Sequence, residues 1–252
     1  MDLKLTGRRA IVTGASRGIG KVIARQLALE GVDVVLAARG HDALAATADE
    51  IARETGRRIR PVAADTGLDE SVDALVHRAV EELGGLDIIV NNAAIPGGAA
   101  PAAKLAEFTA AALLDDVNVK VAGYLRMAQA AAPHLTTGGW GRIINIGGLA
   151  ARKTGQYIGS IRNVGVSALT KNLADEFGRL GITVNAIHPG ATRTERTTRE
   201  AAARAGERVS IGRIVEAEEV AWLVAFLASP LSAAVNGETI QAGGGTPGII
   251  DY

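Results

Sequence analysis

The chemistry of this chain is concentrated first in the octet Thr13-Gly14-Ala15-Ser16-Arg17-Gly18-Ile19-Gly20. Glycines at Gly-x3-Gly-x-Gly spacing let a backbone turn tightly and approach an anion with no Cβ in the way. If a helix begins at this loop, its free N–H groups and partial positive charge face the same anion. Gly14, Ser16, Arg17, Gly18, Ile19 and Gly20 therefore read as a cradle for a pyrophosphate. A tight strand-to-helix turn without a ligand would use the same glycines, so the flanking elements decide. A second charged group, Arg193, Arg196, Arg199, Arg204 and Arg208 with Glu195, Glu200 and Glu207, occupies the irregular stretch 191–211. It reads either as a solvated helical excursion or as a lid whose arginines meet an anionic substrate or a cofactor phosphate. Arg53, Arg57, Arg58 and Arg60 end one helical stretch and enter a strand, where positive charge suits a helix C-terminus.

The elements that must hold this loop follow a regular rhythm. Apolar runs at 10–13, 33–37, 59–63, 86–91, 142–146, 183–188 and 238–241 read as strands. Helical stretches fall near 18–30, 42–55, 69–82, 104–132, 160–179 and 216–228. In the first of these, Val22, Ile23 and Leu27 share a face, Glu30 lies one turn on, and Gly31 is a stop signal. Strands separated by helices must run parallel, because parallel neighbours need a crossover connection. Right-handed crossovers then give a doubly wound α/β (Rossmann) sheet of about seven mainly parallel strands, with helices on both faces. A glycine loop after strand one of such a sheet favours the dinucleotide reading over the empty turn. The chain reads as one domain, 1–252, with a substrate-side helical excursion near 191–211 and a loop at 95–101.

Composition narrows the field further. The 252 residues carry 27 Lys+Arg and 27 Asp+Glu, so there is no net charge to steer nucleic acid. Cys is absent, which removes disulfides, thiolate metal sites and Cys nucleophiles, and no metal is expected. Residues 1–5 have no apolar signal core, and no apolar run reaches the ~18 residues of a membrane span. A cytoplasmic protein with no membrane partner is the expectation. Ala supplies much of the 48% hydrophobic content and aromatics only 3%, which suits close helix–sheet packing and leaves few phenols for chemistry.

The loop spacing is joined by five further segments. Asp65 follows the third strand and Asn91-Asn92-Ala93-Ala94 the fourth, and Asp116-Val117-Asn118-Val119-Lys120 lies in the long helical stretch. Asn185-x-Ile187-x-Pro189-Gly190-x-Thr192-x-Thr194 and Asn236-Gly237-Glu238-Thr239-Ile240 come later. Together they resemble the short-chain dehydrogenase/reductase superfamily over essentially the whole chain. The resemblance implies an oxidoreductase that uses a nicotinamide cofactor on a carbonyl- or hydroxyl-type small molecule. By the same resemblance Asp65, with Thr66 beside it, meets the adenine, Asn91 and Ala93 the ribose side, and Pro189, Gly190, Thr192 and Thr194 the nicotinamide. It also implies a homo-oligomer, a tetramer or dimer, through 104–132, 160–179 and the C-terminal strand, with 249–252 docked on a neighbour.

Charge after the second strand selects the cofactor. An acid there would bond the adenosine 2′-hydroxyl and repel a 2′-phosphate. Ala38 occupies that place, Arg39 follows it, and Arg17 projects from the glycine loop. Two guanidinium groups without an opposing carboxylate favour NADP(H) over NAD(H).

The catalytic segment departs from the family. There a Tyr exchanges the proton of the substrate oxygen, a Lys four residues on lowers its pKa, a Ser orients the carbonyl, and an Asn completes a water-linked route. A phenol of pKa about 10 needs such a cation to work at neutral pH. Counting back from Val166-Ser167-Ala168-Leu169-Thr170-Lys171 puts Gly159 at the Tyr position and Asn163 at the Lys position. Both Ser candidates after 143–146 are glycines, Gly147 and Gly148, and the interval to Gly159 is two residues shorter than usual. Asn118 alone survives. Tyr157 lies in the same loop and is a candidate proton donor, but Ile161 stands four residues on. It reads also as a structural or substrate-facing residue. Ser160 (equally an N-cap), Arg162 and His188 are further polar candidates. Three functions stay open: an NADP(H)-dependent oxidoreductase with a non-standard proton donor, an NADP(H)-binding sensor or partner subunit without turnover, and a non-redox enzyme on the same fold.

Overall fold

A computed structural model describes residues 1–95 and 105–247. In chain order the strands are β1 (Arg9–Thr13), β2 (Asp33–Ala38), β3 (Ile59–Ala63), β4 (Ile88–Asn91), β5 (Gly141–Ile146), β6 (Ile182–Pro189), β7 (Thr192–Arg193), β8 (Val215–Glu216) and β9 (Thr239–Ala242). The helices are α1 (Gly18–Leu29), α2 (His41–Thr55), α3 (Asp69–Leu83), α4 (Ala110–Val117), α5 (Gly123–Thr137), α6 (Tyr157–Phe177), α7 (Arg199–Gly206) and α8 (Ala217–Ala228). Seven strands form one sheet in the order β3-β2-β1-β4-β5-β6-β9, and each pairing is parallel. β7 and β8 make a separate two-stranded ribbon.

Strand alternation sends side chains to two layers. Ala10 and Val12 of β1 join Ile23 and Leu27 of α1, Leu44 and Ile51 of α2, and Val220 and Val224 of α8. Ile11, between them, joins Leu75 and Val76 of α3, Met127 and Ala131 of α5, and Leu173 of α6. Both faces of the sheet are thus covered, as parallel strands require. Ala24 and Ala28 of α1 and Ala221, Ala225 and Ala228 of α8 are buried, and the two helices pack together. The alanine content is what lets these helices approach the sheet and one another. Each fully buried Leu or Ile still contributes roughly 1.5–3 kcal/mol.

Several expectations change. The stretch 104–132 is not one helix: its described part holds a 3-10 turn, Leu105–Glu107, then α4, a π-helical segment Asn118–Ala122, and α5. α6 begins at Tyr157 with Gln156 as its cap, so Ser160 is not an N-cap; its hydroxyl bonds back to the carbonyls of Gln156 and Tyr157. Gly31 does end the first helical run, at φ 88°. Most of the 95–101 loop and all of the 249–252 tail lie outside the described residues. Among the described residues no helix is long and apolar enough to cross a membrane, and no His/Asp/Glu group could hold a metal.

Candidate functional site: a cleft at the sheet's switch point

β1 continues to β2 on one side and pairs with β4 on the other, so the sheet order reverses between β1 and β4. A crevice opens there at the carboxyl ends of the strands, the usual ligand position in such sheets. Thr13 ties it together. Its hydroxyl donates to the Val90 carbonyl and accepts from the amides of Asn92 and Ala93. The Asn92 side-chain amide donates in turn to the carbonyls of Thr13 and Gly14, 3.1 Å each. Asn92 was missing from the expected site, though two adjacent Asn after a strand were a visible signal.

The cradle tolerates no side chains at two glycines. Gly14 has φ 65°, and a Cβ there would sit 2.9 Å from the Asn92 amide nitrogen. A Cβ on Gly20 would sit 2.3 Å from the Gly14 carbonyl oxygen. The N–H of Gly18, first residue of α1, donates to a carboxylate oxygen of Glu195 at 3.2 Å. A side-chain anion thus occupies the helix N-terminus where a phosphate would bind, which tests the fit of an anionic cofactor directly.

The cleft has a volume of about 570 Å³. Of the expected cofactor residues, Gly14, Ser16, Arg17, Gly18, Ile19, Arg39, Asp65, Thr66, Ala93 and Thr194 line it. Arg17 and Arg39 share it with Ala38, and Glu195 and Arg196 reach it from the 191–211 segment. Gly20 stands behind the loop, and Asn91 is buried beneath it, its amide donating to Asn145. Pro189 closes β6, the Gly190 amide donates to Ala242, and the Thr192 hydroxyl donates to Gly190. None of these five residues lines the cleft. Of the Arg53–Arg60 group, Arg53 lies in the last turn of α2 and donates to the Asp49 carbonyl, while Arg57 and Arg58 pair with Asp33 and Arg60 with Glu82.

At the end of β5 the geometry is unusual. A Cβ on Gly147 would lie 2.2 Å from the His188 ring, one on Gly148 3.0 Å from the Asn163 side-chain nitrogen, and one on Gly159 3.1 Å from the Ala150 methyl. Asn163 and His188 are almost wholly buried, and the Oδ1 of Asn163 and Nδ1 of His188 have no partner. His188 is pushed down to about 4, first by burial and then by the charges of Lys120 and Arg152. It is therefore a neutral ring at neutral pH, its Nε2 3.4 Å from the Ser167 hydroxyl.

Asn118 faces away from these glycines. Its amide donates to the Gly67 carbonyl and its oxygen accepts from Arg126 at 2.9 Å. Tyr157 is 43% exposed, and its ring packs on Phe108 at 5.3 Å between centroids. Arg162 and Asp116, in contrast, form a pair at 2.7 Å with both side chains about nine-tenths buried, and Arg162 reaches the cleft. Lys120, on the π-helical segment, is 3% exposed, and its Nζ donates to the Gly147 carbonyl at 3.0 Å. The Arg162–Asp116 pairing spans 46 residues of sequence, which periodicity does not reveal.

A glycine loop after β1, a strand order that reverses above it and a cleft at the carboxyl ends of the strands there define a nucleotide-binding oxidoreductase scaffold. The chain belongs to the short-chain dehydrogenase/reductase superfamily: the family model for enoyl-(acyl carrier protein) reductase matches residues 14–246. It is 33% identical over 253 residues to the 3-oxoacyl-[acyl-carrier-protein] reductase of Aquifex aeolicus, covering 97% of this chain and 99% of that protein. The L-sorbose reductase of Gluconobacter frateurii, solved with NADPH and L-sorbose, superposes with a TM-score of 0.92 at 28% identity, covering 99% of this chain and 100% of that one. A short-chain dehydrogenase of Burkholderia cenocepacia, solved with NADP, superposes at 0.86 with 35% identity over 96% and 98% of the two chains.

Proposed function

We propose that this protein is an NADP(H)-dependent oxidoreductase acting on a small carbonyl or hydroxyl compound, with a proton donor other than the family's Tyr. The single observation that carries the cofactor choice is the cleft wall where Arg17 and Arg39 stand beside Ala38 with no acid at that position. Guanidinium groups there match a 2′-phosphate and leave no acceptor for a free 2′-hydroxyl. The NADPH and NADP held by the two structural relatives support the same choice. Gly14, Ser16 and Gly18 would hold the pyrophosphate, Asp65 and Thr66 the adenine end, and Thr194 the nicotinamide end. When bound, the cofactor supplies hydride chemistry at the carbonyl carbon. The protein's own residues orient the substrate and exchange the oxygen's proton.

A second reading is a cofactor-binding protein without turnover. Gly147, Gly148 and Gly159 favour it, because each backs onto a neighbouring side chain and none offers a hydroxyl. Calorimetric titration with NADPH and NADH, followed by a panel of ketones, enones and imines, separates the readings. Tighter binding of NADPH with turnover supports the oxidoreductase. NADPH binding without turnover supports the second reading, and no NADPH binding defeats both.

We also infer a homo-oligomer. Leu114, Leu125, Ile161 and Val164, on α4, α5 and α6, are exposed.

A further inference from the structure

Lys120 is the one strongly buried ammonium among the described residues, and the proposed function above gives it no task. Among the described residues its one hydrogen-bond acceptor is the Gly147 carbonyl, so further N–H directions remain to be satisfied. The Gly147–Gly148 turn above it is flanked by the Nε2 edge of the His188 ring and by the buried Asn163 side chain, whose Oδ1 is unpartnered. The charged groups acting on Lys120 are Asp116 of α4, which favours its charge, and Arg162 of α6, which opposes it. The other titratable neighbours are the neutral His188 ring of β6 and Tyr124 of α5, whose hydroxyl donates to the Ile146 carbonyl at 2.9 Å. Two cations, Lys120 and Arg162, therefore share the Asp116 carboxylate whenever Lys120 is protonated.

The geometry points to Lys120 as the proton-holding group of this site, placed under the glycine turn to neutralise and protonate the substrate oxygen. This rests on the oxidoreductase reading. Burial, aided by Arg162, brings the Lys120 pKa down to about 7, where an amine can both give and regain a proton at neutral pH. In the reducing direction, with NADPH as the reductant, the carbonyl carbon gains a hydride and the C=O π pair moves to oxygen. Lys120 lies behind the cleft wall rather than on it, so the oxygen takes one proton from the Lys120 ammonium through a bridging water. Lys120 is left as a neutral amine and regains its proton from solvent. The reverse direction runs the same exchange backwards. A nascent negative charge on oxygen is favoured here by the nearby Lys120 ammonium, and the buried setting strengthens that attraction.

The test is a pH titration of protein carrying ¹³Cε-labelled lysine, with and without NADP⁺, followed by pH–rate profiles of the wild type, Lys120→Met and Lys120→Arg. One lysine resonance titrating near pH 7, and absent from both variants, is expected. So is a fall of about 10²–10⁴-fold in kcat with NADPH affinity unchanged, together with loss of the wild-type ionisation near pH 7 from the rate profile. If every lysine in the wild type titrates near its ordinary 10.4, the inference is overturned, whether or not the variants fold. Variants that keep the wild-type profile and rate also overturn it. NADPH binding with no turnover on any substrate overturns the proton-donating role and leaves the cofactor assignment standing. Absence of NADPH binding defeats the function itself, by a separate readout.

Discussion

Burial holds the His188 imidazole near 4 because its ring lies against Gly147 with Lys120 and Arg152 adding positive field. The folded protein therefore binds fewer protons than the unfolded chain once the pH falls below about 6.5. The sign follows: this residue's contribution is fully present above pH 6.5 and is lost on acidification toward 4, by about 3 kcal/mol at pH 4. Denaturant midpoints measured from pH 8 to 4 should fall across that window, and His188→Phe, whatever its absolute stability, should flatten that part of the slope. An unchanged slope would contradict a neutral buried ring. Glu195 makes a different prediction. Its carboxylate on the Gly18 amide must leave before a phosphate can take that place. Glu195→Gln should tighten NADPH by about two- to fivefold in calorimetry, the range of a charge at a helix N-terminus. The residue scale is also where the sequence was least legible. Arg17, Arg39 and Asp65 could be placed by their position after a strand, but Lys120 and the Arg162–Asp116 pair depend on burial and on partners distant in sequence.

At the scale of elements, the loop from Thr13 to Gly20 was legible because backbone geometry forces its glycines. Gly20→Ala should destabilise the protein by about 1–3 kcal/mol and weaken NADPH, since the new methyl meets the Gly14 carbonyl, backbone that cannot swing aside. Thermal melts with and without NADPH would measure both effects; a variant with the wild-type melting temperature and affinity would show that the loop yields more easily. The stretch 104–132 was legible as helical, but its break was not. A slip to π hydrogen bonding over Asn118–Ala122 leaves no mark in apolar periodicity. The slip matters because Asn118 and Lys120 lie on it: Asn118 turns to Gly67 and Arg126, and Lys120 turns inward to Gly147. Ser160 was misplaced for a related reason, as α6 starts three residues earlier than its polar signal suggested.

For the molecule as a whole, the parallel sheet and its two covered faces followed from alternating strands and helices, whereas the strand order depends on pairings between distant segments and came from the structure. What a second copy contributes is a matter of surface. Val164 is 52% exposed on α6, near the exposed Ile161. Light scattering should give a mass above 25.9 kDa at micromolar concentration, and Val164→Arg should lower it; a wild-type monomer would remove the oligomer. The filled glycine positions carry a last consequence, in terms of which sequences can be reached from this one. Gly147 lies at the end of β5, Gly148 beside it and Gly159 on α6; the Cβ position of the first is taken by the His188 ring, and those of the others lie tight against Asn163 and Ala150. A serine at 147 collides unless 188 shrinks, and one at 148 crowds Asn163. A tyrosine at 159 must clear Ala150. A hydroxyl-bearing residue at 147 is penalised on its own, whereas at 148 and 159 the neighbour must give by a few tenths of an ångström. Placing a hydroxyl at the end of β5 therefore calls for changing 147 and 188 together, a two-residue step rather than a single one.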